Sequence, residues 1–235
     1  MDYAIAVPVS PRWKERNDRE SASVKIGFFF KYRDSRSLHY LAMAEHLLAS
    51  VRQVMPGVKV YQLTDQHSPA LHGIDEVDRC SDDVPMAVLR MRLQGDCSGE
   101  WLFVDPDIIV QKDVRPVFDD QFDIALTDRI GTSMEGTPYA AAMPYNLGVA
   151  FSRSPAFWQE AEAHLQHLPP ALQEWEGDQR VICAMVRQKL GGSIKILSGQ
   201  IYNYPPNTPN EDVSHAAIVH YKGNRKGWMN NSRRT

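Results

Sequence analysis

Cysteine is scarce in this sequence. The three residues, Cys80, Cys97 and Cys183, are odd in number, widely spaced and without a C-x-x-C pair. That argues against a disulfide framework and a structural zinc site, and fits a reduced compartment. Long apolar runs are missing as well. None approaches the ~20 residues that a transmembrane helix needs. The opening stretch MDYAIAVPVSPRWK carries Asp2 where a secretion signal needs positive charge, and Pro8 breaks its short apolar run. The expectation is a soluble, cytoplasmic protein without a standard secretion signal. Neither sign of charge dominates: 26 basic against 29 acidic residues leave a net charge of −3. General nucleic-acid binding is therefore not indicated. One local exception is the segment 221–235, where Lys222, Arg225, Lys226, Arg233 and Arg234 meet no acidic residue. Such a tail suits a phosphate-bearing ligand or an anionic surface, and equally a solvated terminus. Internal repeats, low-complexity segments and a linker long enough to separate domains are also lacking.

What is present is an alternation of elements. With 235 residues, 43% of them hydrophobic, one domain can bury a large core. SVKIGFFFKY (23–32) reads as a strand and SLHYLAMAEHLLASVRQVM (37–55) as a helix. In that helix Leu38, Leu41, Ala42, Glu45, Leu48, Ala49 and Arg52 mark one face, Ser37 is a candidate N-cap, and Pro56-Gly57 ends it. VKVYQLTD (58–65) is a second strand, with a short one near IDEVDRC. PMAVLRMRLQG (85–95) is a helix, and WLFVDPDIIV (101–110) a further strand. FDIALTD (122–128) and YNLGVAFS (145–152) look like strands, 154–168 and 178–190 like helices, and NYPPNTPN (203–210) like a loop. Strand and helix in turn over about 90 residues predict an α/β fold with a mainly parallel sheet. Strands covered on both faces explain runs that are apolar rather than alternating.

Within WLFVDPDIIV, Asp105 and Asp107 interrupt the apolar run. Residues i and i+2 of a strand face the same side, and Pro106 removes a ladder N–H and marks a strand end or edge. Two carboxylates there repel each other and lose hydration. A divalent cation offsets both costs, and hard oxygen ligands suit Mg²⁺ or Mn²⁺. Open α/β sheets bind ligands beyond the carboxyl ends of their strands. An Asp-Pro turn with both carboxylates in water fits the pair equally well when it is read alone.

The segments around it narrow the choice. WLFVDPDIIV resembles the YLDxDxxV strand of metal-dependent sugar-nucleotide glycosyltransferases of the GT-A fold. VLRMRL (88–93) resembles the basic helix before that strand. NLGVAFSRSPAFW (146–158) resembles an N-x-G-V strand and its helix, and WEGDQRVICAMV (175–186) a DQ segment opening a helix. YNYPPN (202–207) matches a Tyr-Asn-Tyr stretch. AIVHYKGNRKGW (217–228) resembles the H-x-x-G-x-x-K-P-W ending of glycosyltransferase family 8, the glycogenin and lipopolysaccharide galactosyltransferase type. The match spans about residues 24–228 in order and leaves 1–20 as an extension. Gly227 replaces the family's Pro, Arg180 follows Asp178-Gln179 in place of a second Asp, and the chain is short for the family.

The resemblance implies a single Rossmann-like GT-A domain over 1–235. It implies a hexosyltransferase acting with retention on a nucleoside-diphosphate sugar, UDP-linked by family expectation. The acceptor is open among a glycan, a lipid-linked sugar, a protein or a modified nucleobase. Asp105, Asp107 and His220 would hold Mn²⁺ or Mg²⁺. A lone strand-end histidine is more often structural, but Gly223 and Lys226 beside His220 favour the ligand reading, and both would serve the diphosphate. Asp128, Asn146 and Gly148 would contact the donor sugar; a strand-end Asp and a turn Asn fit the first two as well. Asp178 would lie beside the reacting carbon, or cap its helix, or both. Arg90 and Arg92 cannot share a helix face; Arg90 is preferred for the diphosphate. Tyr32 would stack on a base or be an ordinary strand aromatic. His164 and His167 lie on an amphipathic surface helix and receive no role. Two other readings keep some of the pattern: a non-catalytic sugar-nucleotide binder, and a phosphatase of the haloacid dehalogenase type. The latter carries its Asp pair in the first strand, not after three β/α elements.

Overall fold

The segment Lys25–Phe30 is buried at all six positions, as a strand covered on both faces must be. The computed structural model describes residues 23–130, 142–174 and 176–231. The N-terminal extension 1–20, and Arg233 and Arg234 of the basic tail, lie outside the described residues. Strand β1 (Lys25–Phe30) is joined in one sheet by β2 (Lys59–Asp65), β3 (Glu76–Cys80), β4 (Trp101–Val104), β6 (Ile124–Asp128), β7 (Tyr145–Ser152) and β8 (Ile194–Leu197). Their order is β3-β2-β1-β4-β7-β6-β8. All neighbours run parallel except β7, which is antiparallel to both β4 and β6. The expected mainly parallel α/β sheet is present. A second sheet pairs β5 (Ile108–Val110) with β9 (Ile218–His220).

Helix α1 (Leu38–Val54) covers one face of the large sheet. Its Ala44, Leu47 and Val51 pack with Ile26, Phe28 and Phe30 of β1. On the other face Phe29 and Phe103 meet Leu89 of α2 (Met86–Gly95), Trp158 of α3 (Pro155–Gln166) and Ile182 of α5 (Gly177–Gln188). Each such fully buried Leu, Ile or Phe contributes about 1.5–3 kcal/mol. Two short helices complete the set, α4 (Pro170–Glu174) and α6 (Gly199–Tyr202).

Three expectations need correction. The buried stripe of α1 is Met43, Ala44, Leu47 and Val51. Leu38 is 47% exposed, Ala42, Glu45 and Ala49 face solvent, and Leu41 and Leu48 only flank the core. The helix is apolar on two adjoining stripes, and the contact with β1 selects between them. Ser37 does not cap α1 with its side chain. Its Oγ accepts the N–H groups of Arg33 and Asp34 upstream, because a 3-10 turn already precedes the helix. Finally, WLFVDPDIIV is two strands in two sheets. The N–H of Asp105 still bonds the Gly148 carbonyl at 2.9 Å, extending the β4–β7 ladder. Pro106 has no N–H to continue it. The carbonyl of Asp107 then accepts from Tyr221 N–H at 2.9 Å, beside the small sheet.

Candidate active site

That change of sheet builds the site. Asp105 stays tied to the large sheet, Asp107 is tied to the small one, and the register Ile108↔His220 sets the histidine beside both. The imidazole Nε2 lies 3.2 Å from Asp107 Oδ1 and 3.7 Å from Asp105 Oδ2. One donor atom from each of Asp105, Asp107 and His220 falls within 4.8 Å of the others. Two carboxylates and an imidazole converging at that distance suit a divalent cation.

Positive charge surrounds the pair. Lys226 Nζ is 2.7 Å from Asp107 Oδ2 and 5.6 Å from the centre of the Tyr40 ring. Burial alone would raise the Asp107 pKa, but the His220 and Lys226 charges outweigh it and hold the carboxyl well below the usual range. Arg90 reaches in from α2. Its guanidinium is 3.2 Å from Asp105 Oδ1 and 3.6 Å from Asp178 Oδ2, and lies over the Phe29 ring. It also donates to the Leu147 carbonyl. Arg92, two residues on, turns away to Asp82 and Glu162.

Asp178 sits in the first turn of α5, and the Gln179 N–H donates to its carboxylate at 2.8 Å. The N-cap itself is Glu176, at φ +68°, a strained backbone for a non-glycine residue on the cavity wall. Gly177 is needed there, since an added Cβ would meet the Leu172 carbonyl at 2.0 Å. Burial pushes the Asp178 carboxyl above its ordinary value and the Asp105 charge adds to this, while Arg90 opposes both.

These groups line a cavity of about 500 Å³, within the roughly 300–1,000 Å³ of small-ligand pockets. Of the residues singled out from the sequence, Arg90, Asp105, Asp107, Asn146, Gly148, Asp178 and Lys226 face it. His220 is buried behind it. Three are not brought in. Tyr32 is 39% exposed and its N–H bonds Ser68. Gly223 is exposed at φ +66° with open space around it. Asp128 turns to the start of α6, where the Gly199 N–H donates to its carboxylate, because β8 and α6 wrap the end of β6.

The structure also gives contacts that the sequence did not indicate. Gln179, beside Asp178 in the DQ pair, lines the cavity and accepts from Arg129. Lys31, Arg33 and Tyr40 also line the cavity, and nothing in their sequence context marked them. Asn203, inside YNYPPN, bonds His220. Lys222 is half-buried, and burial together with Arg129 and Arg225 lowers its pKa to about 8 against the pull of Asp105 and Asp107.

Gly148 carries a sharp requirement. A Cβ there would lie 2.2 Å from His220 Cε1 and 2.8 Å from Asn146 Oδ1. Gly148→Ala is expected to push the imidazole off the carboxylates. Divalent-cation affinity should fall about tenfold or more with unchanged circular dichroism; unaltered affinity would contradict the packing argument.

No protein-family model matches the sequence, and no curated protein matches it. Solved structures do. The galactosyltransferase LgtC, in complex with donor and acceptor sugar analogues, aligns at TM-score 0.58 and 13% identity, over 90% of this chain and 96% of that one. The chain has the GT-A glycosyltransferase fold. A glycosyltransferase involved in glycosylation of the major capsid of PBCV-1 shares the GT-A fold at TM-score 0.57 and 14% identity, over 90% and 100% of the two chains. GlyE of Streptococcus pneumoniae TIGR4 aligns at 0.56 and 16%, over 89% of this chain and 61% of GlyE. In this GT-A chain, no helix among the described residues is long and apolar enough to cross a membrane.

Proposed function

We propose that this chain is a metal-dependent, retaining glycosyltransferase that moves a sugar from a nucleoside-diphosphate sugar, UDP-linked, to an acceptor. One observation carries the reading: Asp105, Asp107 and His220 converge at the edge of a cavity that also receives Arg90, Lys226 and Asp178. The folds it resembles belong to glycosyltransferases. Asp105, Asp107 and His220 would hold Mn²⁺, an ion that accepts both carboxylate and imidazole. When bound, it supplies Lewis-acid stabilisation of the leaving diphosphate.

The chain's own residues do the rest. Lys226 neutralises charge on the phosphates, and Arg90, 3.2 Å from Asp105, adds to the positive field. Asn146, held beside Gly148, offers a hydrogen bond to the donor sugar. Asp178 stabilises positive charge developing at the reacting carbon. Inversion needs a carboxylate free to deprotonate the acceptor on the face opposite the leaving group. Asp178 is instead engaged by Arg90 at 3.6 Å, which supports retention.

Thermal-shift screening of UDP- and GDP-sugars with and without Mn²⁺ tests the reading. One donor is expected to stabilise the protein only with Mn²⁺ and to be hydrolysed slowly without acceptor. Stabilisation without any turnover would leave a binder, and no stabilisation by any donor would reject the reading. For stereochemistry, an α-linked donor is expected to give an α-linked product, read by proton NMR of the first-formed species. A β-linked product would remove both retention and the role of Asp178.

A further inference from the structure

Behind the cavity lies a buried polar network whose polarity follows from a single group. The backbone N–H of Gly148 can only donate, and it meets Asn146 Oδ1 at 3.0 Å. That atom is therefore the amide oxygen. The Asn203 atom 3.1 Å from it must be the NH₂ group. The same NH₂ donates to Thr127 Oγ1 at 2.6 Å, and the Thr127 hydroxyl passes its own proton to the Asn146 carbonyl at 3.2 Å. The remaining Asn203 atom is then oxygen, and it lies 2.8 Å from His220 Nδ1. An acceptor at that place requires Nδ1 to carry the proton. Nε2 is left to face Asp105 and Asp107. Thr127, Asn146, Asn203 and His220 are all buried, so bulk water does not compete for these bonds.

We propose that Asn203 is a positioning residue that fixes the His220 tautomer and ring orientation, so that Nε2 presents its lone pair to the cation. This rests on the metal-binding element of the function proposed above. A consequence concerns ion choice. Mg²⁺ binds through oxygen ligands, whereas Mn²⁺ gains from an imidazole. Asn203 therefore supports Mn²⁺ over Mg²⁺, although it touches neither ion.

The test is a double-mutant cycle on metal affinity, with the metal alone and no nucleotide. Mn²⁺ binding is read by electron paramagnetic resonance and Mg²⁺ by competition. Asn203→Leu removes the acceptor and is expected to weaken Mn²⁺ binding about 10–100-fold, with a clearly smaller change for Mg²⁺. In a His220→Ala background, Asn203→Leu should cost nothing further. Equal loss in both backgrounds, or equal loss for both ions, would overturn the inference while leaving the metal site intact. If the intact chain binds Mn²⁺ no better than His220→Ala, the metal reading itself falls and takes the inference with it. Should Asn203→Leu fail to fold, Asn203→Ser, too short to reach Nδ1, replaces it in the cycle.

Discussion

Asp107→Asn is expected to abolish Mn²⁺-dependent donor binding and to lower transfer about 10²–10³-fold or more, while the fold persists. Asp107 is the most heavily engaged carboxylate of the site: His220 approaches one oxygen and Lys226 the other. It is also the one tied through its backbone to the small sheet. An amide keeps the shape and the backbone bond but loses the charge. The cation loses one of two anionic ligands, and Lys226 loses its partner. The fold tolerates this because Lys226 is partly exposed and can turn to water. A melting temperature within about 5 °C of the parent is expected. Calorimetry with the selected donor, with and without Mn²⁺, decides the point. Undiminished Mn²⁺-dependent donor affinity in the variant would remove Asp107 from the metal set.

Asp178→Asn should act in the opposite sense on stability and activity. Turnover is expected to fall about 10²–10³-fold with donor affinity nearly unchanged, since the carboxylate matters mainly in the transition state. Stability at pH 7 should rise. Burial raises the folded pKa of Asp178, aided by Asp105 and opposed by Arg90, so the ionised form is disfavoured in the folded chain. For an acid shifted in that direction, the penalty is absent below the unfolded value of about 3.9 and complete above the folded one. The stability advantage of the Asn variant should therefore shrink as pH falls toward about 4. Arg90 keeps Asp105 as a partner in the variant, which limits any loss from the broken pair. Melting curves of both proteins from pH 4 to 8 provide the check. A variant less stable at every pH would show that the Asp178–Arg90 contact outweighs desolvation.

The sequence alone carried the α/β alternation, the parallel sheet and the members of the charged constellation. Strand runs such as KIGFFF are apolar throughout because both faces are covered, and that signal is local. Asp105 and Asp107 stood out because carboxylates inside an apolar strand are chemically conspicuous without any knowledge of distance, and His220 and Lys226 through the resemblance of AIVHYKGNRKGW to the family 8 ending. The same locality misled where neighbours decide. The apolar stripe of α1 was misplaced because two stripes were available and only contact with β1 chose between them. Asp128 looked equivalent to Asn146 at a strand end, yet the start of α6 draws its carboxylate out of the cavity. WLFVDPDIIV read as one strand, and only the partners across the ladders, Gly148 for Asp105 and Tyr221 for Asp107, show that it changes sheet. Asn203 stood in the sequence only as part of the YNYPPN stretch and Lys222 only as part of the basic tail, neither with a role of its own. Their significance comes from residues distant along the chain, His220 for Asn203 and Arg129, Asp105 and Asp107 for Lys222, which only the closed fold sets against them. Residue chemistry is written locally in the chain, whereas the direction of a carboxylate or the tautomer of an imidazole depends on hydrogen-bond partners that long-range packing supplies.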